Sequence, residues 1–212
     1  MKFISCLTKE LEKSIYKYPS IIKLWKKYYY DKIIEKEIEL GEISREDHVL
    51  CIGGGAIPFT ALDIALKTGA SVAIIELDLV AVEKSRQLIN RINMSNKIEV
   101  IHSSGQEFDA SRYSVVHIAS QVCPVDEILH NVWARIACGS KILFRCDKKK
   151  YKSFCNKAKV QNYSNQLKQV KQDGILMKAT LLLVKEDGVK IDEANSRNFS
   201  SFATDTTSFV AS

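Results

Sequence analysis

VLCIGGGAIPFTALDIALKTG, residues 49–69, decides the fold. Val49–Ile52 is a four-residue apolar run that meets three consecutive glycines, Gly53, Gly54 and Gly55. A run that short and that apolar reads as a strand buried on both faces. Residues 61–69 then carry a helical pattern that stops at Gly69. Strand, glycine turn and helix in that order make the opening unit of a nucleotide-binding α/β sheet. Glycine lacks a Cβ, so a ligand can come close to the backbone. The turn also aims the unpaired N–H groups of a helix start at that ligand.

Outward from this unit the pattern repeats. Strands are expected at 71–78, 97–105, 114–120, 141–147 and 174–186, with helices at 79–92 and 125–137, the latter closed by Gly139. Near-continuous apolar strands alternating with helices indicate a mostly parallel, doubly wound, Rossmann-like α/β sheet covered on both faces. Upstream, 7–17 reads as a short helix, Pro19-Ser20 as a break with Ser20 as cap, and 21–40 as an amphipathic helix ended by a left-handed Gly41. The expected organisation is an N-terminal helical segment (1–47), the α/β domain (48–187) and a Ser/Thr/Asn-rich, disordered tail (188–212). The polar stretch after Lys148 gives no assignable element.

Composition narrows the class. Apolar residues make up 46% of 212, enough for one full core, and no run reaches the roughly 18 apolar residues that span a bilayer. The N-terminus lacks the long apolar core of a secretory signal, so cytosolic residence and no membrane partner are expected. The six cysteines form no C-x-x-C and the four histidines show no ligand spacing, so reduced thiols and no metal are expected. His117 lies in an apolar strand and reads as a core or rim residue. The net charge of +6 sits largely in Lys-rich stretches at 26–32 and 148–152. No RNA-binding signature accompanies them, so solvated faces explain them and nucleic acid is not an expected partner.

The glycine turn allows a choice between cofactors. A dinucleotide fingerprint places glycine at the third position of G-x-G-x-x-G, and here that position is Pro58. Proline suits a helix's first turn and does not give the close helix–strand contact that a dinucleotide fold needs. Glu76 follows the apolar part of the second strand, where a carboxylate can accept from both hydroxyls of a ribose; Asp78 is the alternative. Gln106, with Ser104 as runner-up, sits after the third strand and could reach an adenine edge. Gln121 opens the loop after the fourth strand, beside the reacting centre. That loop lacks the Asn/Asp-Pro-Pro-aromatic pattern of adenine-N6 DNA methyltransferases.

The segment IGGGAIPFTAL (52–62) resembles the nicotianamine synthases and their bacterial and archaeal relatives, which carry I-G-[GS]-G-x-[LI]-P-[LF]-T there. The resemblance continues through 74–89, 115–136 and 142–147. It implies a class I methyltransferase fold, S-adenosylmethionine as cofactor, and Gly53, Gly54, Gly55, Pro58, Glu76, Gln106 and Gln121 around it. It extends upstream to a tyrosine-rich segment with a following glutamate, here Tyr30 and Glu37. Seven residues are two helical turns, so both face one side, either towards catalysis or as an amphipathic surface helix packed on the domain. The synthases carry a larger helical N-terminal domain with a catalytic glutamate; Glu10, Glu12, Glu35 and Glu37 are the candidates here. Arg145, at the end of the fifth strand, could pair with a carboxylate of substrate or cofactor.

Three functions follow as expectations. The first is transfer of a 3-amino-3-carboxypropyl group to an amine of a small molecule or amino acid. The second is small-molecule methyl transfer. The third is cofactor binding without turnover.

Overall fold

The computed structural model describes residues 31–147, 168–172 and 179–186. Eleven elements follow in chain order. They are α1 (Asp31–Gly41), β1 (His48–Ile52), α2 (Phe59–Thr68), β2 (Ser71–Glu76), α3 (Leu79–Arg91), β3 (Ile98–His102), β4 (Val115–Ile118), α4 (Val125–Arg135), β5 (Lys141–Cys146), β6 (Lys168–Lys171) and β7 (Ala179–Val184). The expected helix at 7–17, Ser20, Tyr30 and the tail at 188–212 lie outside the described residues.

The strands form one sheet in the order β3-β2-β1-β4-β5-β7-β6. β1 to β5 run parallel, and β7 enters antiparallel beside β5, with β6 antiparallel to β7. The chain moves outward from β1 to β3 and then returns to place β4 against the other side of β1. That reversal opens a crevice at the carboxyl ends of β1 and β4, where ligands of open α/β sheets lie.

Strand alternation supplies both faces. Val49 and Cys51 point into the core under α1, α2 and α3, whereas Leu50 and Ile52 point into the core under α4. Ile34, Ile64, Ile74, Ile118 and Ile142 are wholly buried. Each such side chain contributes about 1.5–3 kcal/mol relative to exposure.

Helix ends differ from the sequence reading in instructive ways. Gly69 is left-handed and its N–H closes α2 on the Ala65 carbonyl, as expected. Gly41 is not left-handed; the residue after it, Glu42, takes φ 48°. Glu42 N–H bonds to the Glu39 carbonyl and Ile43 N–H to Ile38, the paired bonds of a Schellman cap. Glycine at 41 also allows close packing, since a Cβ there would sit 3.0 Å from Leu143 Cδ1 and oblige that side chain to shift. Asp78 is not the end of a strand: its side chain caps α3 by accepting from Val80 N–H at 2.9 Å. α4 stops at Arg135, and Gly139 belongs to the turn before β5. β6, whose sequence is KQVK, gave no signal because an edge strand with mostly exposed residues carries no apolar run.

Candidate functional site

The glycine turn lies at the carboxyl edge of the sheet, between β1 and α2. Gly53 N–H donates to the Ile75 carbonyl at 2.9 Å, and Ala119 N–H donates to Ile52 at 3.1 Å, so the turn is strung between β2 and β4. Gly53 has φ +85° and a Cβ there would meet Val122 Cγ2 at 2.6 Å. A Cβ on Gly54 would meet Ile74 Cγ2 at 2.2 Å. Both positions therefore require glycine for close chain-to-chain packing. Pro58 is buried and takes the N-cap position of α2, one residue before the first turn, with its carbonyl accepting from Leu62 N–H at 3.0 Å.

Glu76 faces this turn. Its Oε2 accepts from Gly55 N–H at 2.8 Å, and its Oε1 accepts from Leu77 and Asp78 N–H at 2.9 and 3.0 Å. A carboxylate has about four acceptor positions. Three hold the turn and the start of α3, which leaves one on Oε2 where the sequence reading assigned two. The half-buried carboxylate thus joins the glycine turn to the end of β2, with one acceptor position unfilled by the described residues.

Two further expected residues border the same edge. Gln121 is exposed after β4, and its Nε2 donates to the Gly53 carbonyl at 3.4 Å. Gln106 is exposed after β3, and its Nε2 donates to Glu127 on α4. Its backbone N–H is held by Ser104 Oγ at 3.2 Å. Both amides can turn towards a ligand only by leaving these partners.

Glu37 and Arg145 meet each other instead of a solvent-facing substrate. Glu37 is wholly buried at the centre of the α1 face that also buries Ile33, Ile34 and Gly41. Arg145 donates from Nε to Glu37 Oε1 at 2.7 Å and from Nη2 to Oε2 at 2.5 Å. Thr180 Oγ1 donates to Oε1 at 2.6 Å, and His117 Nε2 lies 3.2 Å from Oε2. Burial pushes the Glu37 carboxyl up, but Arg145 and His117 outweigh it and hold it well below the usual carboxylate range. His117 is driven below its ordinary value by burial and by Arg145. It is therefore neutral near pH 7, and Nε2 carries the proton that Glu37 accepts. Burial pushes the neighbouring Cys51 thiol up to about 12.

In this geometry neither residue faces the surface, Glu37 being wholly buried and Arg145 4% exposed. Four donors fill the four acceptor positions of Glu37, so it has none left to take a proton from a substrate amine. Arg145 is turned inward to Glu37 and, from Nη1, to Thr60 Oγ1 at 3.0 Å. Sequence reasoning missed His117, Thr60 and Thr180 as partners. The available signal was a charged or polar residue at an inward position of an otherwise apolar element, repeated on α1, β4 and β5.

Among the described residues no group of three His, Cys, Asp or Glu side chains is placed to hold a metal ion, and no helix is long and apolar enough to cross a membrane. Cys51 and Cys146 are buried, and Cys123 and Cys138 are exposed. An open depression lined by Ser71, Lys97, Glu99, Arg112 and Tyr113 lies at the amino ends of the strands. It is at the opposite edge from the glycine turn, and a ligand of this fold belongs at the carboxyl edge.

No family model matches the chain. The chain is 26% identical over 116 residues to the L-histidine 2-aminobutanoyltransferase of Yersinia pestis; the match covers 55% of this chain and 43% of that protein. The chain thus spans less than half the length of that curated relative. Among solved structures it is similar to a point variant of the nicotianamine synthase MtNAS in complex with S-adenosylmethionine. That match has a TM-score of 0.63 and 17% identity, and covers 84% of this chain and 72% of that one. It is also similar to an RNA methyltransferase from Salinibacter ruber in complex with S-adenosyl-L-homocysteine. There the TM-score is 0.59 and the identity 15%, over 76% of this chain and 95% of that one. The mostly parallel seven-stranded sheet of this chain is the Rossmann-like fold that class I methyltransferases share.

Proposed function

We propose that the chain is an S-adenosylmethionine-dependent transferase that moves a 3-amino-3-carboxypropyl group onto an amine of a small molecule or amino acid. The observation that carries the cofactor part is Glu76, tied to Gly55 N–H at 2.8 Å and left with one acceptor on Oε2 at the carboxyl edge. A ribose hydroxyl donates to that position. Gly53, Gly54, Gly55 and Pro58 fix the wall beside it, while Gln106 and Gln121 line the edges where the base and the reacting centre belong.

When bound, S-adenosylmethionine supplies a sulfonium whose γ-carbon transfer leaves methylthioadenosine and whose methyl transfer leaves S-adenosylhomocysteine. The choice depends on which carbon the protein presents to the nucleophile, so the residues act chiefly by positioning. The amine must be neutral to attack, which requires a group to take its proton. Glu37 is saturated, so Tyr30 is the proposed proton-handling group of that pair. Aminocarboxypropyl transfer is favoured by the G-G-G-A-I-P-F-T segment and by the likeness to the Yersinia aminobutanoyltransferase and to MtNAS. The name of the Yersinia enzyme supports an amino-acid acceptor, and cytosolic residence completes the proposal.

Methyl transfer is the second reading, favoured because the chain spans 95% of the Salinibacter methyltransferase. Binding without turnover is the third. Incubation with S-adenosylmethionine and a pool of amino acids and amines, followed by mass spectrometry, separates them. Methylthioadenosine formed together with an aminocarboxypropylated amine supports the proposal. S-adenosylhomocysteine supports the second reading, and cofactor binding with neither product supports the third.

A further inference from the structure

α2 contains two threonines that use their hydroxyls differently. Thr68, in the last turn, donates to the Ile64 carbonyl at 2.7 Å, the usual bond to the residue four back. Thr60, in the first turn, makes no such bond. Its one hydrogen bond among the described residues is with Arg145 Nη1 at 3.0 Å. A guanidinium donates and never accepts. Thr60 Oγ1 is therefore the acceptor, and its own proton is still to be placed.

Arg145 cannot easily swing away to change this. It is 4% exposed, and its Nε and Nη2 are bound to Glu37, which is itself wholly buried. Glu37 is in turn fixed by Thr180 and His117. Arg145 is the penultimate residue of β5, so the arrangement stands at the carboxyl edge, next to the turn that Glu76 holds. Thr60 is only half-buried, so part of the residue is open at that edge. A guanidinium donating to a hydroxyl makes that hydroxyl a stronger donor, since hydrogen bonds in a chain polarise one another.

We infer that Thr60 recognises the carboxylate of the cofactor's amino-acid arm, with Arg145 and Glu37 as positioning residues that turn its hydroxyl proton outward. The inference rests on the proposed cofactor, whose groups at that end are an ammonium and a carboxylate. Only the carboxylate can accept from Thr60. Arg145 thus favours an anion through Thr60 and does not touch it.

The test compares ligands that do and do not carry the arm. Affinities for S-adenosylhomocysteine and for methylthioadenosine are measured by calorimetry on the full chain, as wild type, Thr60→Val and Thr60→Ser. Thr60→Val is expected to weaken S-adenosylhomocysteine about tenfold or more, the value of a hydrogen bond to a charged group, and to leave methylthioadenosine within about twofold. Thr60→Ser is expected to restore S-adenosylhomocysteine binding, because it keeps the donor. Should valine strain the turn, Thr60→Ala is expected to give the same split. Equal loss of both ligands would mean that Thr60 only shapes the turn and would overturn the inference, as would unchanged affinity for S-adenosylhomocysteine. If the wild type bound neither ligand, the proposed function itself would fall and this inference with it.

Discussion

Among the described residues Arg145 is the cation that Glu37 faces at bonding distance, and Arg145→Met removes it while nearly preserving volume. Two of the four donors to the Glu37 carboxylate disappear with it. Burial then acts unopposed by Arg145, and the carboxyl, which has no exposed surface, is driven towards its neutral form. Breaking a buried pair by removing one partner costs about 3–5 kcal/mol. For a domain of this size that is a loss of about 6–20 °C in Tm. Glu37→Leu is also expected to destabilise, because it removes the carboxylate that Arg145 Nε and Nη2 bind. The double variant Glu37→Leu/Arg145→Met removes both charges of the pair and leaves the donors of Thr180 and His117 without Glu37. It is expected to be less destabilised than the sum of the single variants by about 2 kcal/mol or more. Urea unfolding of all four proteins measures this. Additive single effects, or a cost for Arg145→Met below about 1 kcal/mol, would refute a closed, charged Glu37–Arg145 pair.

The same cluster sets an acid limb of stability. Folding lowers His117 below its ordinary 6.5 and Glu37 below its ordinary 4.5, so for both groups the unfolded chain binds protons first and stability falls as pH falls. The urea midpoint is therefore expected to decline from about pH 6.5 downward and more steeply below about pH 4.5. His117→Gln keeps a donor and should remove the first decline only; an unaltered profile would count against a buried neutral His117. Thiol reactivity should divide by burial: in brief alkylation of the native protein, mass spectrometry is expected to find Cys123 and Cys138 modified and Cys51 and Cys146 protected. Labelling of Cys51, whose thiol is pushed up to about 12, would show that α1 does not cover it as described.

Much of the fold was legible because its strands are buried on both faces. SVAIIE and KILFRC announce themselves by continuous apolar runs, and Gly69 marks a helix end by the conformation only glycine adopts easily. β6 was not legible, since an exposed edge strand needs no apolar residue. Gly41 resembles a cap in sequence because the left-handed residue, Glu42, is its immediate neighbour, and only the backbone angle of Glu42 separates the two. In the site, the glycine turn and Glu76 could be placed from local order alone. The pairing of Glu37 with Arg145 could not, because the two are 108 residues apart and meet only once β5, β7 and α1 are packed. Each was singled out for a role facing a substrate; together they neutralise each other inside the protein.

The account turns on whether Glu76 holds a ribose at the glycine turn. Calorimetric titration of wild type and Glu76→Ala with S-adenosylhomocysteine, with Tm recorded to confirm that both are folded, tests it directly. The account predicts measurable binding by the wild type and affinity about ten- to hundredfold weaker in the variant, the loss of a hydrogen bond to a charged group. Equal affinity in the two folded proteins would contradict it.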